Sequence, residues 1–212
     1  MSTLKPLRLH PRADRGRGQT LVEFALILPI FVVLLMGVIE FAFMFNATLA
    51  INFASRNASL MAAEAGSQST ADCAILAQIE RDVGAPADDR NIQSVTIYKA
   101  DRAGKVVVAN QTVYSRMGTM PCAGFTPSAM PYTLGANGYP MGEPTSATSW
   151  LGRCDVLTGC SATIPMDSIG VKIVYRYYFL TPLRNLVSFL PGASSGYVDF
   201  SWSNVMRMEP IL

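Results

Sequence analysis

The chain has 212 residues, half of them apolar, and a formal net charge of +2. That length holds one membrane anchor and one folded domain of roughly 150 residues, but not a second full domain. In the first 18 residues Lys5, Arg8, Arg12, Arg15 and Arg17 oppose Asp14, a net of +4 that leaves −2 for the rest. A long, weakly acidic remainder without a basic stripe argues against nucleic-acid binding.

Residues 1–18 mix Pro, Arg and Gly with no helical period and read as a disordered cytoplasmic leader. Residues 21–45 then form an apolar run in which no charge falls between Phe24 and Ile39. A helix needs about 20 apolar residues to cross the hydrocarbon of a bilayer, so residues 19–45 are predicted to span a membrane. Basic residues before the span put the N-terminus in the cytoplasm and the bulk of the chain outside the inner membrane. A secretory signal would have a shorter apolar core and a small-residue cleavage site; this run flows unbroken into an Ala-rich continuation.

Within this stretch, Gly18 is followed by Gln19, and Glu23-Phe24 stand just before the greasiest residues. Pro29 lies inside the run, and Gly37-Val38-Ile39-Glu40-Phe41 lies toward its far end. This set resembles the N-terminus of the TadE-like pseudopilins of the Flp, or type IVb, tight-adherence pilus system. The Glu209-Pro210 ending is also similar to that family. The resemblance implies that a membrane-embedded prepilin peptidase cuts after Gly18, making Gln19 the mature N-terminus. It further implies other pilins, pseudopilins and pilus assembly proteins as partners. Major Flp pilins are very short and usually carry Glu-Tyr; Glu-Phe and a large outer domain here favour a minor pseudopilin, either incorporated in the fibre or left in the membrane.

The acids also have a reading of their own. A carboxylate at membrane depth costs a few kcal/mol and is retained mostly where it finds a partner. Glu23, one helical turn from an α-amine freed at Gln19, is placed to pair with an amine of an adjacent subunit; alternatively it is a favourable acid at a helix N-terminus. Glu40, roughly 25 Å further along the axis, either meets a partner helix or is a solvated interfacial acid. Pro29 removes a backbone donor and predicts a bend.

Beyond the lipid the helix is expected to continue over residues 46–66. Ala47, Ala50, Ala54, Ala58, Ala62 and Ala65 form a small-residue stripe, packed on the chain's own domain or on neighbouring helices, and Gly66 is a candidate C-cap. Residues 69–83 read as a second helix closed by Gly84. Residues 93–99 and 105–109 read as a hairpin about a turn at 101–104, and Asp88-Asp89 as solvated turn residues. Residues 114–165, rich in Pro and Gly, read as an irregular disulfide-held insertion. Residues 168–179 alternate as the best strand, 181–190 suit a short amphipathic helix, and a last strand over 197–208 puts Val198, Phe200, Trp202, Met206 and Met208 on one side.

Cys73, Cys122, Cys154 and Cys160 all fall on the predicted outer side, and four cysteines allow three pairings. The closeness of Cys154 to Cys160 suits a local loop, which leaves Cys73 with Cys122. No CxxC occurs, and the one histidine, His10, lies on the cytoplasmic side, so no metal, cofactor, small-molecule substrate or catalytic residue is expected. The predicted whole is an α+β, pilin-like protein. A leader (1–18) precedes a membrane-spanning helix (19–45) and its continuation (46–66), which packs on a small antiparallel sheet within an extracytoplasmic domain (67–212). The rival reading is an uncleaved membrane-tethered binding or adhesion module.

Overall fold

The computed structural model describes residues 16–66, 68, 70–84, 87–101, 103–125, 127–137, 167–182 and 196–208. Residues 1–15, Cys154, Cys160, the remainder of the expected insertion, the amphipathic segment at 183–190 and Glu209-Pro210 lie outside them. The chain divides into two units, the first ending at Ile39 and the second beginning at Glu40.

Helix α1 (Gly16–Ala65) crosses that division without interruption and carries Pro29 inside it. It starts before the position expected for it, and the proline does not end it. In the first unit its apolar side chains are bare: Leu21, Phe24, Leu26, Ile27, Ile30, Phe31 and Leu34 are each more than half exposed. So broad an apolar surface belongs in a bilayer or an interface, not in water.

In the second unit the same helix becomes one-sided. Ala47, Ile51, Ala54, Ala58 and Ala62 are buried at spacings of three and four. They form one core with Val95 and Ile97 of strand β1 (Ile92–Ala100) and Ile169, Val171, Ile173 and Tyr175 of strand β6 (Ser168–Tyr178). Alanine lets the helix approach the sheet closely enough for the Ser55 hydroxyl to donate to the Val171 carbonyl at 2.8 Å. The small-residue stripe therefore packs on its own domain. Gly66, at φ 55°, ends α1 and donates to the Ala62 carbonyl, as its position in the sequence predicted.

Five strands make the main sheet in the order β5-β2-β1-β6-β7, antiparallel throughout, where β2 is Val106–Ser115, β5 Thr133–Asn137 and β7 Tyr197–Arg207. The β1–β2 turn is the predicted one: Asp101 accepts from the backbone of Ala103 and Lys105, and Gly104 sits at φ 76°. Strand β2, however, runs well past residue 109.

The described part of the expected irregular insertion also folds. Strands β3 (Met120–Pro121) and β4 (Ala129–Met130) pair in a ribbon, and β5 joins the main sheet as an edge. Its prolines and glycines punctuate the strands into two-residue pieces that no alternation reveals. Strand β7 has the predicted face, but Val198 and Trp202 on it remain 38% and 39% exposed because β7 is the other edge.

Helix α2 (Ala71–Asp82) buries Ile75, Leu76 and Ile79. Its last residue is an acid, unfavourable beside a helix C-terminus, yet the Asp82 carboxylate accepts 2.9 Å hydrogen bonds from Asn57 of α1 and from Gln78. A disulfide joins Cys73 of α2 to Cys122 after β3, the expected pairing.

On the sheet face away from α1, the Tyr98 ring lies over its cross-strand neighbour Gly170. A Cβ at residue 170 would fall inside the ring's van der Waals surface. Gly170→Ala should therefore cost about 1–3 kcal/mol by overpacking, read as a lower midpoint in denaturant unfolding. Tyr98→Leu in the same chain should recover part of that loss.

Candidate functional site

The features singled out in the sequence fall into two groups, one in each unit. In the first unit, Gly18, Gln19, Glu23, Phe24 and Pro29 are all exposed on α1. The Gln19 side-chain amide donates to the Glu23 carboxylate at 3.2 Å, a solvent-facing contact one turn apart. A Cβ on Gly18 would meet nothing within 4 Å, so the helix itself does not demand glycine there. What glycine supplies is a weak first turn: Gly16 and Gly18 each cost a helix interior about 1 kcal/mol relative to alanine, and the peptide bond after Gly18 lies where unwinding is easiest.

The second acid is in a different situation. Glu40 is only 5% exposed. Its carboxylate accepts from the Tyr177 hydroxyl at 2.7 Å, the Leu180 backbone N–H at 3.0 Å and the Thr181 backbone N–H at 2.8 Å. Neither sequence reading of Glu40 holds, since the carboxylate is neither solvated nor awaiting another helix. It clamps α1 to the chain just beyond β6. Desolvation and then the neighbouring carboxylate push the Tyr177 phenol up, which keeps it a donor.

A second polar cluster pins the far side of the domain, and its members are too far apart in sequence to be grouped by spacing. The Arg116 guanidinium, at the end of β2, makes a forked contact to Glu80 of α2 and a 2.8 Å contact to Asp89, and lies 5.6 Å from the Tyr132 ring centre. Tyr132 donates to Glu80. Burial, then the Glu80 carboxylate, push the Tyr132 phenol up, so it too remains a donor. Asp88 is the expected turn residue, accepting from the Arg90 backbone, but Asp89 is a salt-bridge partner and not merely solvated. Beneath the disulfide, the Tyr114 hydroxyl donates to the buried Asp72 at 2.6 Å. Each of these carboxylates has a partner within the fold. Those of α2, Asp72 and Glu80, hold the helix in place.

Among the described residues no group of three His, Cys, Asp or Glu side chains could hold a metal ion. Among the described residues one helix is long and apolar enough to cross a membrane, with a mean hydropathy of 2.7 over its most apolar window.

Among the described residues, a long apolar N-terminal helix followed by a small antiparallel sheet defines an α+β protein whose helix is consistent with a single-pass membrane anchor. Residues 18–59 match the family model described as TadE-like protein, so the chain carries a TadE-like domain over that segment. The match begins at Gly18 and includes both acids. No curated protein and no solved structure matches the chain.

If the Glu40 clamp holds the helix to the sheet, Glu40→Ala leaves the buried Tyr177 hydroxyl without its acceptor, at about 1–3 kcal/mol, and two part-buried backbone donors at a smaller cost. Denaturant unfolding of the detergent-solubilised protein should rank the loss as Glu40→Ala above Glu40→Gln, and both above Tyr177→Phe. An unchanged midpoint for Glu40→Ala would remove the clamp from the account.

Proposed function

We propose that this protein is a minor pseudopilin of a Flp, or type IVb, pilus, acting without catalysis in initiating or priming assembly after its leader is removed. The observation that carries the reading is the contrast between the two acids of the TadE-like segment. Glu40 is consumed inside the domain, whereas Glu23 stays on the surface, where the Gln19 amide donates to it. Cleavage after Gly18 turns that neighbour into the N-terminus. An α-amine is then created one turn from a carboxylate, at the edge of a run too apolar to leave either charge unpaired cheaply.

In this reading the chain is a single-pass protein of the inner membrane, with a cytoplasmic leader and an extracytoplasmic sheet domain. A prepilin peptidase reads the glycine, and an amine from an adjacent pilin neutralises Glu23, which sets the axial register between subunits. The exposed faces of Leu21 to Leu34 are the surface that lipid covers before assembly and other apolar helices cover after it.

Two substitutions separate the steps. Because Gly18 has open space around it, Gly18→Arg should leave the fold intact but block processing, giving a product heavier by the 18-residue leader. Glu23→Ala should be cleaved normally and fail to enter assemblies. Intact-mass measurement of the native protein reads the first step directly. A start at Gln19 supports the pseudopilin, and a start at Met1 or Ser2 indicates an uncleaved tether.

A further inference from the structure

The end of the sheet nearest Glu40 is apolar and uncharged. Residues 177–182 read Tyr-Tyr-Phe-Leu-Thr-Pro, without a charge. Across from them on β7 stand Tyr197, paired with Tyr178, and Val198, paired with Tyr177. Four large apolar side chains here face outward: Phe41 at 62% exposure, Leu180 at 65%, Tyr178 at 42% and Val198 at 38%. One row further into the sheet, the polar surface returns as a closed pair. Arg176 makes two 2.8 Å contacts to Asp199 and lies 4.0 Å over the Tyr197 ring. Those hydrogen bonds hold the Asp199 carboxyl below the usual carboxylate range, so the pair is ionised and self-neutralising.

This end adjoins the apolar run through the continuity of the chain. Glu40 immediately follows Ile39, and its carboxylate holds the backbone of Leu180 and Thr181. Residues 21–39 give a helical length of about 28 Å, close to the ~30 Å hydrocarbon thickness of a bilayer. If that run spans, the hydrocarbon boundary falls at Glu40, and hydrogen bonding keeps the Tyr178–Leu180 strand end at the same depth. Aromatic and aliphatic side chains without net charge are the composition favoured at that depth.

We propose that this rim, Phe41, Tyr178, Leu180 and Val198, rests in the lipid interface of the membrane that α1 crosses, so that the domain is seated on the bilayer and not held off it by a free helix. The proposal rests on the anchor reading of α1. Lipid is favoured over a second copy of the chain because the rim is continuous, through Glu40, with the run that lipid already covers.

The test uses the full chain reconstituted in phosphatidylcholine bilayers whose acyl chains carry bromine at depths from just below the headgroup to mid-chain, a short-range quencher of tryptophan. Trp150 and Trp202, the two tryptophans of the chain, are replaced by Phe, and single tryptophans are introduced as Leu180→Trp, Val198→Trp, Phe31→Trp and Ala103→Trp. Leu180 and Val198 are exposed, so either should accept the larger ring, and each checks the other. Ala103 lies in the β1–β2 turn at the opposite end of the sheet, where Ala100 pairs with Ser168. Brominated lipid should quench Phe31→Trp and both rim variants while leaving Ala103→Trp bright. Quenching at Phe31 with both rim positions as bright as Ala103 would overturn the seating and keep the anchor. Bright emission at Phe31 would overturn the anchor and the seating together. Rim quenching that appears only when protein is diluted in lipid would assign the rim to a second copy, and equal quenching at Ala103 would mean a domain lying on its side; either overturns the proposal.

Discussion

The structure turns on one buried carboxylate. Glu40 stands where the chain passes from a helix bare on every side to a helix covered on one, and three donors from the end of β6 converge on it. A carboxylate taken out of water is tolerated only when its lone pairs are filled, and here they are filled by groups that would otherwise be unsatisfied themselves: a tyrosine hydroxyl and two backbone N–H groups at a strand terminus. The contact therefore fixes where the domain begins along α1. From that point the alanine stripe dictates the rest, since only side chains this small bring the helix near enough for Ser55 to reach a carbonyl of β6.

With Glu40 satisfied internally, the two acids of the apolar helix have separate tasks. One closes the fold, and the other remains on the surface beside the residue that leader removal would make the terminus. The same division runs through the glycines. Gly66 and Gly104 take positive φ where the chain turns, and Gly170 clears space for a tyrosine ring. At Gly18, by contrast, a Cβ would meet nothing within 4 Å among the described residues.

Much of this was legible in the sequence because it is periodic. The length of the apolar run, the alanine spacing, the alternation over residues 168–179 and the Asp-to-Gly turn all repeat on the scale of a helix turn or a pleat, and each appears where expected. The Cys73–Cys122 pairing was legible by proximity of the other two cysteines. What escaped was order made by contacts between distant segments. Arg116, Glu80, Asp89 and Tyr132 look unremarkable singly, and nothing in their spacing joins them. The stretch after Tyr114 hides three strands among prolines and glycines, two of them only two residues long and too short to alternate. Glu40 was noticed as an acid out of place, but its partners lie some 140 residues away, so both local readings of it failed. The weak outer face of β7 has the same origin: alternation shows which side chains share a face, not whether anything covers that face.

The bond between Cys73 and Cys122 closes a loop with a sequence separation of 49, inside which lie most of α2 and both β1 and β2. Chain-entropy reasoning assigns such a loop about 4 kcal/mol, comparable with the whole stability of many small domains. The thiols and the disulfide are thus nearly two different proteins. In a reducing compartment α2 is held by its buried Ile75, Leu76 and Ile79 together with the Asp72, Glu80 and Asp82 contacts, and in an oxidising one the same contacts are locked behind a covalent gate. Redox environment then decides when this domain is finished.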